Sequence, residues 1–202
     1  MITVVQMFGT QAGTGPGMGT VSVPVVFTAN PNNDNQIGGG ASDNNLIVPI
    51  KRFDYPGYID IVFQVAPSNG GVTEYKVFES VDNNTLTNWS SYRMELGFGY
   101  GTSFISSPSG DGLDFDDPDY NTPPVSSVFT NVATSEDVLV FSNGIHSTGS
   151  ETYLFRIDVP DLSDTGATTS FTLRQVPIPE PSSYLLFLCA LTCLWIYRKH
   201  RS

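Results

Sequence analysis

Alternation of large apolar residues with smaller or polar residues is the feature that most constrains the fold of this chain. Residues 92–98 read Tyr-Arg-Met-Glu-Leu-Gly-Phe, and residues 153–159 read Tyr-Leu-Phe-Arg-Ile-Asp-Val. In both segments every second side chain is large and apolar. Successive side chains of a β-strand point to opposite faces of a sheet, so this period of two predicts two strands, each with one face in a core.

Further β-branched and aromatic runs lie between clusters of Asn, Asp, Gly and Pro, which favour turns. The runs are Val21 to Ala29, Leu46 to Phe53, Tyr58 to Ala66, Val72 to Val81, Val125 to Thr130, Val138 to Ser142 and Thr169 to Gln175. No segment before residue 182 has helical periodicity over ten residues. The pattern therefore predicts an all-β domain over residues 21–176, an antiparallel β-sandwich or jelly roll.

The carboxyl end of the chain has a different character. Residues 184–197 contain no charged side chain, and as a helix they would be about 21 Å long, somewhat short for a hydrocarbon core of about 30 Å. We expect a transmembrane helix over residues 182–197, although a buried core helix is an alternative. Arg198, Lys199 and Arg201 follow directly, and such basic residues favour the cytoplasmic side of a membrane.

The residues around this segment resemble a known sorting signal. Pro179-Glu180-Pro181 stands just before the apolar segment and the basic end, and residues 177–202 are similar in this arrangement to the PEP-CTERM signal of exopolysaccharide-producing Gram-negative bacteria. The resemblance implies that an exosortase-type membrane peptidase recognises the tripeptide and removes the helix. It also implies an inner-membrane-anchored precursor with an extracytoplasmic ectodomain.

The amino-terminal residues 1–20 are rich in glycine and show no secretory leader. A leader needs a basic region followed by an apolar stretch, and residues 1–8 contain no Lys or Arg. We expect the leader to be encoded upstream of Met1. Residues 9–19 lack the Lys-Ser/Thr pair of a phosphate-binding loop, so we expect them to form a flexible linker.

Charge and cysteine content exclude some classes of function. The chain has 9 Lys and Arg residues against 20 Asp and Glu residues, a formal net charge of −11, and a surface of this sign disfavours nucleic acid as a partner. The two cysteines, Cys189 and Cys193, lie in the predicted helix and suit it as small apolar residues. Disulfides therefore do not contribute to the predicted domain.

One acidic segment could bind a cation. Residues 110–119 contain five aspartates, and Ca²⁺ prefers six to eight oxygen ligands. The spacing does not match an EF-hand, and an acidic surface loop fixed to the core by neighbouring apolar residues is the alternative. The candidate calcium ligands are Asp111, Asp114, Asp116, Asp117 and Asp119.

Catalytic motifs are absent from the sequence, so we expect no enzymatic activity. His146 is the only histidine before the apolar segment, and its Asn-Gly-Ile-His-Ser-Thr-Gly context predicts a solvated turn. No motif of a serine hydrolase or zinc peptidase is present. A secreted glycan hydrolase is an alternative, because its two carboxylates need not be close in sequence.

The composition and tail together predict an exported protein of the cell surface or extracellular matrix, with a structural or adhesive role associated with exopolysaccharide. Residues 110–120 and 155–161 also resemble bacterial sandwich domains that occur with interchangeable anchors. The other alternative is a calcium-dependent carbohydrate-binding module. Its candidate sugar-contacting side chains are Trp89, Tyr92, Tyr100 and Tyr120.

Overall fold

The computed structural model describes residues 3–5, 13–21, 25–26, 44–66, 72–115, 123–160 and 169–180. These residues form 14 strands and one short 3-10 turn at Gly101–Ser103, with no α-helix. The strands are β1 (Thr3–Val5), β2 (Gly13–Thr14), β3 (Met18–Val21), β4 (Val25–Val26), β5 (Asn45–Phe53), β6 (Ile59–Ala66), β7 (Val72–Asn83), β8 (Trp89–Phe98), β9 (Ile105–Ser106), β10 (Val125–Ser126), β11 (Asn131–Ser135), β12 (Val138–His146), β13 (Gly149–Pro160) and β14 (Thr169–Pro179).

Eight strands form the first sheet. Six of them lie in the order β1-β6-β14-β8-β12-β11, while β2 pairs with β6 and β9 pairs with β8. Every pairing in this sheet is antiparallel. The central strands β14 and β8 are neighbours, and their pairing continues to Pro179 at the end of the described domain.

Six strands form the second sheet, in the order β10-β13-β7-β5-β3, with β4 paired to β5. Here β5 and β7 are parallel, with Leu46 opposite Val77 and Phe53 opposite Asn83. Parallel neighbours need a crossover connection, and the chain supplies it through β6 of the first sheet. The all-β sandwich prediction is confirmed, but this pair departs from an entirely antiparallel arrangement.

A single apolar cluster unites the inner faces of the two sheets, and alternate residues of the long strands supply it. It includes Ile61, Phe63 and Val65 of β6, Tyr75, Val77 and Val81 of β7, Tyr92, Met94 and Leu96 of β8, and Tyr153, Phe155, Ile157 and Val159 of β13. Burying one large apolar side chain contributes about 1.5–3 kcal/mol. Packing of this cluster is therefore the main source of stability.

Strand β5 changes its side-chain phase partway along its length. Val48 pairs with Glu79 and Lys51 pairs with Val81, so three residues of β5 span the same step as two residues of β7. Such an irregularity shifts the following side chains to the other face. Lys51 and Phe53 consequently point into the core, and both are completely buried.

The prediction of a flexible linker at residues 9–19 is wrong for the part that the structure describes, since β2 and β3 lie there. Gly15 has a φ of 138° and accepts a hydrogen bond from the Met18 amide at 3.2 Å. A Cβ at Gly17 would lie 2.7 Å from the Cδ1 atom of Phe53. Glycine here permits a tight turn and close contact with the core.

Some strand boundaries also differ from the sequence prediction. Within the predicted Val21 to Ala29 strand, the described residues are the end of β3 and all of β4, while residues 22–24 and 27–29 lie outside the described ranges. The strand predicted over Val125 to Thr130 is only Val125–Ser126. Strands β9 and β11 were not predicted, and β11 has a mostly exposed pattern that gives no periodic signal.

Candidate functional site

The end of β14 brings the predicted sorting tripeptide to the rim of the sandwich. Pro179 pairs with Trp89 at the start of β8, and the Glu180 amide donates a hydrogen bond to the Asn88 carbonyl oxygen at 2.9 Å. The Asn88 side-chain amide also lies 3.4 Å from the Glu180 carboxylate. Glu180 is exposed, and Pro181 lies outside the described residues. Two of the three motif residues therefore have a defined position, with Pro179 half-buried in the strand and Glu180 exposed.

The prolines of this segment fit the sheet because, among the described strands, β14 pairs there with β8 alone. Pairing with β6 ends at Gln175, whereas pairing with β8 continues to Pro179. Proline lacks an amide hydrogen, so it is tolerated where one side of a strand is free. The boundary placed after residue 176 therefore falls inside β14, which continues for three more residues.

Two of the five candidate calcium ligands lie in described residues. Asp111 accepts hydrogen bonds from the Ser107 hydroxyl at 2.7 Å and the Leu113 amide at 2.9 Å. The Asp114 backbone pairs with that of Asp158 in an isolated bridge. The hydrogen bonds of Asp111 give it a structural role in shaping the turn. Leu113 is buried in the core, as predicted for a loop that is anchored by its apolar residues.

Asp116, Asp117 and Asp119 lie outside the described residues. In the part of the chain that the structure describes, no group of three His, Cys, Asp or Glu side chains is arranged to hold a metal ion. Calcium binding by the complete segment therefore stays a prediction.

The turn between β11 and β12 adds two carboxylates to this acidic region that the sequence did not single out. The Phe115 amide donates to the Glu136 carbonyl oxygen at 2.8 Å, and the Glu136 carboxylate accepts hydrogen bonds from the Ser109 hydroxyl and the Gly110 amide. These hydrogen bonds lower the pKa of Glu136. The turn and the aspartate segment are thus joined, although the bonded residues lie 27 and 26 positions apart in sequence.

The pKa of the next residue, Asp137, is shifted in the opposite direction. Burial, followed by the charges of Glu136 and Asp111, raises the pKa of Asp137 to about 7. Its Oδ1 atom is buried and has no hydrogen-bond partner among the described residues. The carboxyl group is therefore poorly accommodated when it is ionised.

His146 is a core residue, and the prediction of a solvated turn histidine is wrong. Its ring is completely buried against Trp89, with the ring centres 4.5 Å apart. Nε2 lies 3.0 Å from the Gly149 carbonyl oxygen, so Nε2 carries hydrogen, and Nδ1 accepts from the Tyr153 hydroxyl at 3.1 Å. Burial lowers the pKa of His146 and favours this neutral ring.

The aromatic side chains considered for sugar binding are mostly unsuited to that role. Trp89 and Tyr92 are completely buried and stack on each other with ring centres 5.9 Å apart. Tyr100 is 60% exposed, and Tyr120 lies outside the described residues. Among the described candidates, only Tyr100 could contact a sugar.

A shallow groove of about 510 Å³ lies on the second sheet, opposite to the core side. Ile47, Phe78 and Leu154 are cross-strand neighbours on that face, and Val125 continues the row from β10. The remaining lining includes the hydroxyl groups of Ser80 and Thr152. The groove is apolar and offers no pair of catalytic groups.

A buried polar cluster connects the two sheets inside the core. Glu79 Oε2 accepts hydrogen bonds from Lys51 Nζ at 2.6 Å and from Gln175 Nε2 at 2.7 Å. The Tyr92 hydroxyl donates to Gln175 Oε1 at 2.8 Å. Lys51, Tyr92 and Gln175 are completely buried, and the sequence pattern gave no indication of the cluster.

Burial sets the ionisation of this polar cluster. It lowers the pKa of Lys51 to about 8, although the neighbouring Glu79 charge opposes the shift. Burial also raises the pKa of Tyr92, so its hydroxyl group keeps its proton. The Lys51 ammonium group therefore loses its proton at a lower pH than an exposed lysine does, while Tyr92 remains a hydroxyl donor.

Within the described ranges, no helix is long and apolar enough to span a membrane. The predicted helix over residues 182–197 and the basic residues Arg198, Lys199 and Arg201 lie outside those ranges. No protein family model, no curated protein and no solved structure matches this chain.

Proposed function

We propose that this chain is an exported cell-surface or extracellular-matrix protein that is first tethered by a helix over residues 182–197. An exosortase-type peptidase then processes it next to Pro179-Glu180-Pro181. The observation that carries this proposal is the position of the tripeptide at the end of the last described strand. There Glu180 is exposed and Asn88 fixes its backbone.

Cleavage beyond this point is compatible with an intact domain. The last apolar residues of the core cluster are Phe171 and Leu173, which precede the tripeptide. Strand β14 keeps all its pairings with β6 and β8 if the chain ends after Pro181. A peptidase that cleaves after Pro181 would therefore remove none of the apolar residues of the described core cluster, whose loss would destabilise the domain.

For the mature domain we propose a structural or adhesive role in an exopolysaccharide-rich surface layer. The burial of Trp89 and Tyr92 favours this role over sugar recognition, because these rings stabilise the core. The acidic composition, with a formal net charge of −11, suits a soluble surface domain that repels its own copies.

The proposal is tested by expressing the gene, together with the coding sequence upstream of Met1, in a bacterium that has an exosortase and in a strain that lacks it. Immunoblots of membrane and medium fractions then compare wild type with Glu180→Gln. The matched control is Glu151→Gln, which removes a carboxylate that accepts a hydrogen bond from Ser127 on another part of the surface. Both substitutions conserve side-chain size.

We expect wild type and the Glu151→Gln control to reach the medium in a shortened form, while Glu180→Gln stays in the membrane fraction at full length. The strain without exosortase should retain all three proteins in the membrane. Equal release of Glu180→Gln would contradict recognition of the tripeptide. Recovery of the wild type in the cytoplasm would contradict export itself.

A further inference from the structure

The buried polar cluster places a nucleophile, a proton acceptor and an amide within one dry site. Lys51 and Gln175 both donate to the same oxygen of Glu79, at 2.6 and 2.7 Å. The two nitrogen atoms therefore lie no further apart than the sum of these distances. Lys51 belongs to β5 of the second sheet and Gln175 to β14 of the first sheet. A bond between their side chains would join the sheets across the core.

The side-chain carbonyl group of Gln175 accepts a hydrogen bond that would activate it toward attack by an amine. The Tyr92 hydroxyl donates to its carbonyl oxygen at 2.8 Å, and a fixed donor at this position stabilises the negative charge of a tetrahedral intermediate. Water is excluded, because the side chains of Lys51 and Glu79 have no solvent exposure. Electrostatic stabilisation is stronger in such surroundings than in water.

Glu79 is placed to move protons between the two nitrogen atoms. Its Oε2 atom contacts both, and its Oε1 atom is buried without a hydrogen-bond partner in the described part of the chain. A buried carboxylate oxygen without a donor is costly, and this unoccupied oxygen offers a second position for a proton in transfer. The low pKa of Lys51, about 8, means that loss of a proton from its ammonium group is not difficult near neutral pH.

We propose that Lys51 and Gln175 form an intramolecular amide crosslink. The Lys51 Nζ atom attacks Cδ of Gln175, a carbon–nitrogen bond forms, and the bond from Cδ to Nε2 breaks. Of the three protons on the Lys51 ammonium group, one stays on the new amide. Glu79 relays the other two to the departing nitrogen, which leaves as ammonium. The reaction needs no cofactor or oxidant, and holding both groups on one oxygen of Glu79 replaces a bimolecular encounter.

The crosslink would strengthen the domain where the proposed tether pulls on it. It joins β5 to β14, the strand that ends at Pro179 next to the sorting tripeptide. Force applied through the tail would then reach both sheets through a covalent bond. This consequence depends on the proposed tethering, whereas the crosslink itself does not.

The intact mass of the purified full chain tests the proposal. The folded wild type should weigh less than its sequence mass by one ammonia molecule. Glu79→Gln keeps the size of the side chain and one acceptor oxygen but removes the proton carrier, and Lys51→Met keeps the aliphatic stem but removes the amine. Both variants should show the full sequence mass. Circular dichroism checks that each is folded.

Tryptic digestion then locates the link. In the wild type, a species should join the peptide containing Lys51 to the peptide that begins at Gln175, and the chain should not be cut after Lys51. Ring closure at Asn143-Gly144 also releases ammonia, but that loss would persist in Lys51→Met. A full-mass folded wild type would overturn the proposal. So would an ammonia loss retained in Lys51→Met, or the loss of one water with a link from Lys51 to Glu79.

Discussion

Replacing Asp137 with asparagine should stabilise the protein above pH 7. The Oδ1 atom of Asp137 is buried without a hydrogen-bond partner among the described residues. Burial, together with the charges of Glu136, Asp111, Asp114 and Glu95, raises its pKa to about 7. Asparagine has the same shape and carries no charge, so it removes the cost of ionisation and can donate to a neighbouring carboxylate.

The expected pH dependence follows from the direction of the shift. Because the pKa of Asp137 is higher in the folded state than its ordinary value of 3.8, the folded protein binds more protons than the unfolded chain between these values. The wild type therefore gains stability from this group as the pH falls through 7. The variant lacks that gain, so its advantage should be largest above pH 7 and disappear near pH 4.

The size of the effect can be worked out from the shift. A change from 3.8 to about 7 corresponds to about 4 kcal/mol at 1.36 kcal/mol per pKa unit. Asp137 is partly exposed, and solvent screening reduces such interactions considerably. We therefore expect Asp137→Asn to increase the free energy of unfolding by about 1–2 kcal/mol at pH 8.

Urea unfolding at pH 5 and pH 8 measures this difference. Glu151→Gln is the matched control, because its carboxylate accepts a hydrogen bond from Ser127 and is not among the charges that raise the pKa of Asp137. That control should not share the gain in stability between pH 5 and pH 8. An Asp137→Asn variant that is less stable than wild type at pH 8, or whose advantage is the same at pH 5, would rule out an ionisation cost at Asp137.

Three other changes probe separate parts of the molecule. Gly97→Ala places a Cβ 2.3 Å from the Ile105 carbonyl oxygen, and the displaced loop should cost about 1–3 kcal/mol in urea unfolding; unchanged stability would contradict this packing. Burial lowers the pKa of His146, so wild-type stability should lose up to about 1.4 kcal/mol per pH unit as the pH falls below about 6.5. His146→Gln should remove that loss, and an identical pH profile would count against it. If residues 110–119 bind Ca²⁺, calorimetry should show a higher melting temperature with calcium than with a chelator. An unchanged melting temperature at millimolar calcium would rule out the calcium hypothesis.

The sequence predicted the sandwich because its central strands obey a local rule. In β6, β7 and β8, alternate residues are buried as the period of two requires. The parallel pairing of β5 and β7 could not be predicted in this way, because periodicity within a strand carries no information about the direction of its neighbour. The short strands β2 and β3 were missed because their glycines suggested a linker. In the structure, these glycines permit the turn at Gly15 and close contact with Phe53.

Periodicity within a strand also could not predict which residues of the candidate sites are buried. The irregularity between Val48 and Lys51 reverses the side-chain phase of β5, so an alternation rule would leave Lys51 on the surface instead of beside Glu79. The burial of His146 likewise depends on Trp89 and Tyr153, which come from other strands. The sorting tripeptide could be found from sequence, since its signal is local. Its fixed position at the end of β14 could not.

If the β-sandwich is exported with a removable tail, the released protein must have a new carboxyl-terminal residue. Mass spectrometry of the protein released by a host with an exosortase should find a chain that ends next to Pro181. Released protein that still carries Arg201 and Ser202 would show that the tail is not removed.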